Sequence, residues 1–384
     1  MAQFGRWGAG SAAVGLMVGI VVLGAVPVTA LARAPRVYKI NVDNPNAAGV
    51  PNHDFEYVDY FPREDVRVSS SDVLDFNWNT GAVDGAHTVS FLPPTVAAPG
   101  LFAPDTDDPG APLEFNPNMF FPSNPACGTP TAPCVYDGTS VVNSGFIPNA
   151  VGGDFYVKLD PKLLNGRDSV DVKYICEVHP GMSGSVTLVD DSRKATPLDA
   201  VEARADGQFA RDTAEALRQE RRDNHASVQL NSDGTHTITA TAGTATQYVE
   251  IVEMLPGTLN VKPGDTVNWV TRTEKDPHTV TFPQGHGSDA VDPLVPVCEA
   301  VADIPVPGLD PRLCANPSQF EAHIAPQPRG PRAITSPATV ASSGIITNAP
   351  GAPNSYSFTF PNAGTFEYQC RIHDNMVGTI IAKS

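Results

Sequence analysis

A seven-residue pattern, Cys-x-x-His-x-x-Met, occurs twice in the 384-residue chain, starting at Cys176 and again at Cys370. A histidine followed by Thr-Val precedes each copy. His87 lies 89 residues before the first cysteine, and His278 lies 92 residues before the second. Because the same residue types recur in the same order over so long a distance, the repeat has the length of a domain and not of a solenoid unit. The pattern therefore predicts two related domains.

The match extends beyond these residues. Trp78 and Trp269 each lie nine residues before the upstream histidine, and Gly184 and Gly378 each open a last apolar stretch after the methionine. With 32 Gly, 37 Pro and only 17% charged residues, the composition favours short strands joined by long loops. We expect an all-β chain whose first domain spans residues 36–190 and whose second spans 228–384.

The residues shared by the two copies form the ligand set of a mononuclear copper centre. Cu(I) favours sulfur and Cu(II) favours nitrogen, so a thiolate, two imidazoles and a weak thioether suit an ion that cycles between these states. We therefore expect two type 1 copper ions per chain. The predicted ligands are His87, Cys176, His179 and Met182 in the first site, and His278, Cys370, His373 and Met376 in the second.

Each half of the chain resembles a known family at these residues. The run Pro277-His278-Thr279-Val280 resembles the first-histidine motif of plastocyanins, and the short Cys-x-x-His-x-x-Met loop is similar to that of amicyanin. This resemblance to cupredoxins implies a Greek-key β-sandwich in each half, blue copper and one-electron transfer between redox partners. The chain departs from the family in the long insertion between the upstream histidine and the cysteine of each half.

A copper enzyme is the main alternative. Multicopper oxidases carry His-x-His pairs, which this sequence lacks, and copper nitrite reductases place a histidine directly before the ligand cysteine, where this chain has Ile175 and Gln369. We therefore do not expect an enzyme. Copper storage or delivery and a structural module with empty sites also remain open. The other histidines are scattered singly: His53, His225, His236, His286 and His323.

The two sites are expected to differ in their surroundings. His179 and His373 lie in the short loops, so we expect them to face solvent and to serve as electron ports. Asp374 follows the second of these histidines where the first site has Pro180, and a carboxylate there should favour Cu(II) and lower the reduction potential of the second site. Such a difference would allow electron transfer within the chain.

Four further cysteines lie in two pairs, one in each long Pro-rich loop. These loops run from Leu92 to Pro133 and from Pro283 to Pro337. Four cysteines allow three pairings, and we favour the local disulfides Cys127–Cys134 and Cys298–Cys314. A metal site at these cysteines is the alternative. Disulfides fit a protein of an oxidising compartment.

Residues 191–227 are predicted to form a helical linker between the domains. The part from Pro197 to Asn224 is rich in Ala, Glu, Arg and Gln, and its apolar residues approximate a helical stripe. Acidic residues come early and arginines late, which suits the helix dipole. We expect one amphipathic helix that is interrupted or weakened at Gly207.

The first 32 residues have the pattern of a secretory signal peptide. Arg6 precedes an apolar stretch, and Ala30-Leu31-Ala32 forms a small-x-small cleavage motif. Cleavage after Ala32 would place the mature protein outside the cytoplasm, in the periplasm or the medium. An uncleaved membrane anchor is the alternative, because the apolar run approaches the length of a membrane span.

The formal net charge of −17 argues against nucleic acid as a partner, because binding to phosphates needs a basic surface. An acidic surface can attract a cationic redox protein and speed its association. A charged surface that only keeps the protein in solution explains the same composition.

Overall fold

The strands follow from alternation of apolar and polar side chains. In the first strand, Tyr38, Ile40 and Val42 are buried, whereas Val37 and Lys39 face solvent. This period of two is that of a strand with one face on a core. The computed structural model describes residues 33–43, 50–78, 85–99, 102–104, 113–149, 152–285, 294–298, 320–324, 328–373 and 375–384.

The described part of the first half contains short strands and one short helix. The strands are β1 Val37–Val42, β2 Phe55–Tyr57, β3 Tyr60–Phe61, β4 Val66–Ser69, β5 Val73–Trp78, β6 Ala86–His87, β7 Ser90–Phe91, β8 Phe102–Pro104, β9 Leu113–Phe115, β10 Cys134–Tyr136, β11 Val142–Asn143, β12 Ile147–Pro148, β13 Gly153–Leu159, β14 Ser169–Ile175 and β15 Ser183–Val189. The helical segments are α1 Pro117–Phe120 and the 3-10 turns Pro161–Leu164 and Ser192–Lys194.

The second half begins with a long helix, α2 Leu198–Asp223. The strands described after it are β16 Ser227–Leu230, β17 His236–Ala245, β18 Val249–Leu255, β19 Thr258–Val261, β20 Thr266–Val270, β21 Thr281–Phe282, β22 Leu294–Cys298, β23 Phe320–Ile324, β24 Ala341–Ser342, β25 Ser355–Thr359, β26 Gly364–Gln369 and β27 Val377–Ala382.

The two halves repeat one topology. Two sheets, β10-β13-β5-β1-β3 and β11-β7-β14-β15-β4, enclose the core of the first half. The sheets β2-β18-β17-β20-β25 and β19-β27-β26-β21-β24 enclose that of the second. Corresponding strands pair in the same way. In the first half β1 is parallel to β5, and in the second half β17 is parallel to β20. Trp78 and Trp269 are buried at matched places in the two cores. The prediction of an all-β fold of sandwiches with one long helix is confirmed.

One strand of the first half belongs to a sheet of the second. Strand β2 pairs antiparallel with β18, with Glu56 opposite Glu250. A third apolar cluster lies beside this pairing and includes Tyr57, Phe61 and Ile251. Residues 34–384 accordingly form one compact unit. The domain limits 36–190 and 228–384 remain a prediction.

Helix α2 packs against this third cluster through Ala205, Phe209 and Ala216. It lies within the predicted segment 191–227 and continues through Gly207, so the expected interruption at that residue is wrong. A glycine costs a helix only about 1 kcal/mol relative to alanine, which burial of the flanking apolar residues offsets. Among the described residues no helix is long and apolar enough to cross a membrane. The predicted signal peptide, residues 1–32, lies outside them.

The predicted disulfide between Cys127 and Cys134 is confirmed, with a sequence separation of 7. The other predicted pair, Cys298–Cys314, is not tested, because Cys314 lies outside the described residues.

Removing the Cys127–Cys134 disulfide should destabilise the protein moderately. Loop-closure entropy for so short a loop corresponds to about 2.5 kcal/mol. We expect the Cys127→Ala/Cys134→Ala variant to lose about that free energy of unfolding in urea titrations. An unchanged transition midpoint would contradict this assignment of stability to the crosslink.

Candidate metal centres

Backbone pairing fixes the upstream histidine of each site. His87 lies on β6, opposite Ile147 of β12. In the second half, His278 and Ile346 exchange two backbone hydrogen bonds of 2.9 Å. Backbone pairing with a neighbouring segment therefore fixes the position of both histidines, and both are fully buried.

The downstream loop closes on itself in both halves. The amide of Cys176 donates to the carbonyl of Met182 at 3.0 Å, and the amide of Met182 donates to the carbonyl of His179 at 3.2 Å. The amide of Cys370 donates in the same way to Met376, at 2.8 Å. The loop thus places cysteine, histidine and methionine on one side of a tight turn between two long strands.

In the first site, three donor atoms converge in the protein interior. Cys176 Sγ lies 3.9 Å from His87 Nδ1 and 3.8 Å from His179 Nδ1. The two Nδ1 atoms lie 3.0 Å apart. Met182 is buried in the same core cluster as Cys176.

The second site repeats this arrangement. Cys370 Sγ lies 3.7 Å from His373 Nδ1, and the donor atoms of His278, Cys370 and His373 all lie within 4.8 Å of one another. Met376 is fully buried beside them. Within the described residues, His278 Nδ1 is buried and has no hydrogen-bond partner, as expected of a ring nitrogen that faces a metal position.

Backbone amides point at the cysteine sulfur in both sites. The donors are the residue after the upstream histidine and the residue two after the cysteine. They are Thr88 at 3.4 Å and Val178 at 3.4 Å for Cys176, and Thr279 at 3.3 Å and Ile372 at 3.4 Å for Cys370. Such donors stabilise a thiolate, the form that binds metal.

The charge state of the sulfurs agrees with this geometry. Burial alone would raise the pKa of the Cys176 thiol, but the hydrogen bonds from His179 and His87 outweigh it and hold that pKa well below its usual value. The neighbouring His278 and His373 also hold the pKa of Cys370 well below its usual value, against the effect of burial. Both cysteines are unpaired and buried, and both are poised to act as thiolates.

The donor positions fit a copper ion. A metal bound trigonally, with metal–nitrogen bonds near 2.0 Å and metal–sulfur bonds near 2.3 Å, places sulfur and nitrogen about 3.8 Å apart and the two nitrogens about 3.5 Å apart. The sulfur–nitrogen separations in the first site, 3.9 and 3.8 Å, match this geometry. Its two nitrogens, at 3.0 Å, need to separate by about half an ångström. Two imidazoles, a thiolate and a thioether form the donor set of blue copper.

Carboxylates face the outer nitrogens of the first site. His179 Nε2 lies 3.0 Å from Asp276 Oδ1 and 3.4 Å from Glu56 Oε1. His87 Nε2 lies 3.5 Å from Asp43 Oδ2 and 3.6 Å from the same Glu56 oxygen. A carboxylate at Nε2 favours the tautomer that leaves Nδ1 free for a metal.

The second site has a matching contact. His278 Nε2 lies 3.1 Å from Glu250 Oε1, and the hydroxyl of Thr273 donates to Glu250 Oε2 at 2.6 Å. The pKa of His373 is raised to about 10 against the effect of burial, mainly by Cys370 and to a smaller extent by Asp276 and Glu56. The two centres therefore face one group of carboxylates from both halves.

We call Asp43, Glu56, Glu250 and Asp276 the acidic cluster. Their exposed fractions range from 0% to 5%. Burial, followed by the charge of Asp276, raises the pKa of Glu56. Burial opposes ionisation of Asp276 as well, but His179 lowers its pKa below the usual value. No sequence motif marks these residues. The pairing of β2 with β18 brings Glu56 next to Glu250, and the one local signal is that Asp276 lies two residues before His278.

The expected solvent exposure of the loop histidines is wrong. His179 is 4% exposed and His373 is 5% exposed. Both histidines lie in one buried region, because the pairing of β2 with β18 joins the two halves of the chain next to the sites. Asp374, which was expected to distinguish the second site, lies outside the described residues.

The remaining histidines whose side chains the structure describes, His53, His225 and His236, do not form a common site. His53 contacts Glu220 at 2.7 Å and His236 contacts Asp265 at 3.1 Å, while His225 is exposed. The side chains of His286 and His323 lie outside the described part of the chain.

Gly243 packs directly against the imidazole of His278 in the second site. It has a φ of +76° at a bulge of β17, and a Cβ there would overlap His278 Nε2. We expect Gly243→Ala to displace this imidazole and to weaken copper binding at the second site about 10- to 100-fold, while the first site keeps its copper. Copper titration followed by absorption measures this. Gly234→Ala is the matched control, because Gly234 also has a positive φ but open space around it; equal effects of both substitutions would contradict the prediction.

No protein-family model matches the chain, and no curated protein shows detectable similarity to it. Among solved structures, amicyanin from Paracoccus versutus is 17% identical over 42% of this chain and 92% of that chain, with a TM-score of 0.19. A mutant plastocyanin of fern is 14% identical over 38% of this chain and 99% of that chain, with a TM-score of 0.19. A mutant amicyanin in the Cu(I) form is 17% identical over 41% of this chain and 98% of that chain, with a TM-score of 0.21. At TM-scores this low, the likenesses carry no weight for function.

Proposed function

We propose that this protein is an extracytoplasmic blue-copper protein that binds two type 1 copper ions and transfers single electrons between redox partners. The observation that carries the proposal is the pair of matched donor sets, each with a buried cysteine, two buried histidines and a buried methionine. The hydrogen-bond pattern around both sulfurs is the same, which an accidental grouping of polar residues does not explain.

Each bound copper would supply a one-electron couple, and the chain supplies a rigid site for it. Backbone pairing holds the upstream histidine, amide contacts within the loop hold the loop, and Asp276 contacts Nε2 of His179. Ligands held in this way move little between oxidation states. Burial of all the donors also disfavours rapid copper exchange, so electron transfer is preferred over copper storage or delivery.

The exposed side of each loop is the proposed contact with redox partners. Pro180 and Gly181 are exposed beside the first site, and Asn375 and Val377 beside the second. They adjoin the histidine and the methionine of their sites, so a partner docked there approaches the copper closely without contact with a ligand imidazole. With a net charge of −17, the protein would attract cationic partners. In this role the protein would transfer electrons without converting a substrate of its own.

Copper analysis together with the visible spectrum tests the proposal. We expect two copper ions per copper-loaded chain and an intense thiolate-to-copper absorption that disappears on reduction. A colourless copper-loaded protein would exclude type 1 sites. Copper in excess of the blue absorption would favour the alternative of an oxidase or a nitrite-reductase-like enzyme.

A further inference from the structure

Among the described residues, the acidic cluster has no permanently charged basic partner. Within the described residues, none of its four members forms an ion pair with a lysine or an arginine; their charged contacts are to histidine rings. Removing a carboxylate from water is costly unless it is paired. The cluster therefore has a deficit of positive charge in the protein interior.

Glu56 shows this deficit most clearly. Both of its oxygens are buried, and neither has a hydrogen-bond partner in the described part of the chain. Its partner across the strand pair is Glu250, and like charges at paired strand positions destabilise a sheet. Asp276 Oδ2 is buried without a hydrogen-bond partner as well. Two neighbouring carboxylates thus have buried oxygens without hydrogen-bond partners among the described residues.

The donor atoms in this region have the spacing of a metal site. His179 Nε2 lies 3.0 Å from Asp276 Oδ1 and 3.4 Å from Glu56 Oε1, and all three donors lie within 4.8 Å of one another. A tetrahedral zinc ion with bonds of about 2.0–2.2 Å holds its ligands about 3.4 Å apart. One imidazole nitrogen and two carboxylate oxygens are a donor set that Zn²⁺ accepts, with a fourth position left for water.

We propose that Glu56, Asp276 and Nε2 of His179 bind a divalent ion of the zinc class, in addition to the two copper ions. His179 would then hold copper at Nδ1 and the divalent ion at Nε2. Glu56 comes from the first half of the chain and Asp276 from the second, so the ion would also join the two halves. This site does not depend on electron transfer by the coppers.

Binding at Nε2 has a chemical signature. The proton on this nitrogen must leave when the ion binds, and any proton held by the carboxylates leaves too. Zinc binding should therefore release at least one proton per ion. Calorimetry in two buffers of different ionisation enthalpy measures this number.

Zinc binding to the full chain with both copper sites filled is the primary test. Copper is loaded first, so that zinc does not occupy the thiolate sites. We expect one zinc per chain by metal analysis, with the blue absorption retained but shifted because His179 binds both ions. Glu56→Gln and Asp276→Asn should each weaken zinc binding by about 100-fold or more while two copper ions remain bound. Glu177→Gln is the matched control, since it removes a buried carboxylate beside Cys176 that lies outside the acidic cluster.

Two results would overturn the proposal: no zinc bound by the copper-loaded protein, or equal zinc binding by the wild type and both cluster variants. Because Glu56→Gln keeps the size of its side chain and replaces a carboxylate whose oxygens have no hydrogen-bond partner in the described part of the chain, we expect this variant, without metal, to unfold at a temperature no lower than the wild type. Asp276→Asn also loses the ion pair with His179, so we expect it to fold but to unfold at a lower temperature than the wild type. Added zinc should raise the unfolding temperature of the wild type only. This second readout identifies a variant that fails to bind because it fails to fold.

The experiment separates this proposal from the proposed function. The blue absorption reports the copper sites, whereas zinc stoichiometry reports the acidic cluster. If copper does not bind, the Cys176→Ser/Cys370→Ser variant still tests zinc binding, because it lacks both thiolates and keeps Glu56, His179 and Asp276.

Discussion

Replacing Cys176 by serine should leave one copper ion per chain and about half of the blue absorption. Serine has nearly the shape of cysteine but offers a hard oxygen in place of the thiolate, and copper in this setting needs sulfur. The second site should keep its copper, because Cys370 lies in the separate core of the second half. Copper analysis and the absorption spectrum of the purified variant measure both quantities.

Cys370→Ser provides the reciprocal control and should leave the first site intact. Together the two variants give the reduction potential of each site separately, and so the direction in which transfer of an electron between the sites is favoured. Loss of all blue absorption in either variant would contradict two complete sites. Full blue absorption in both would show that the ligands lie elsewhere.

Asp276→Asn should raise the reduction potentials of both sites, and that of the first site most. The carboxylate contacts His179 at 3.0 Å, and its charge also acts on His373 and His278. A buried negative charge stabilises Cu(II) relative to Cu(I), so its removal makes reduction easier. A tenfold change in the equilibrium, or about 59 mV for one electron, is the expected size at the first site. Redox titration in zinc-free buffer, monitored at the blue absorption, measures the shift.

Asp199→Asn is the control for net charge. Asp199 is exposed at the start of α2, where water and salt screen its field, and both potentials should stay unchanged in this variant. A shift confined to one site in Asp276→Asn would show that the acidic cluster does not act on the two centres together.

The sequence sufficed to identify the two donor sets because their ligands recur in order at nearly constant spacing. The strands and the Cys127–Cys134 disulfide were also predictable, since alternation of side chains and short sequence separations are local properties. The residues that surround the two sites could not be predicted from the sequence. Glu56 and Glu250 meet only through the register of β2 and β18, and nothing near either residue in the sequence indicates that pairing.

The error about His179 and His373 has the same physical origin. A histidine in a short loop at the end of a sandwich is exposed when the sandwich stands alone, and burial here depends on the other half of the chain. The continuity of α2 through Gly207 likewise depends on packing against the third apolar cluster. Tertiary contacts of this kind override local preferences.

The pairing of β2 with β18 bears on how the protein can be divided. A second half produced alone would expose β18 as an open edge carrying Val249 and Ile251, both fully buried in the whole chain. Such an edge invites aggregation. The repeat in the sequence thus does not make the two halves separable: a cut between them should cost the second half its edge strand, and the second half needs residues 55–57 to close its sheet.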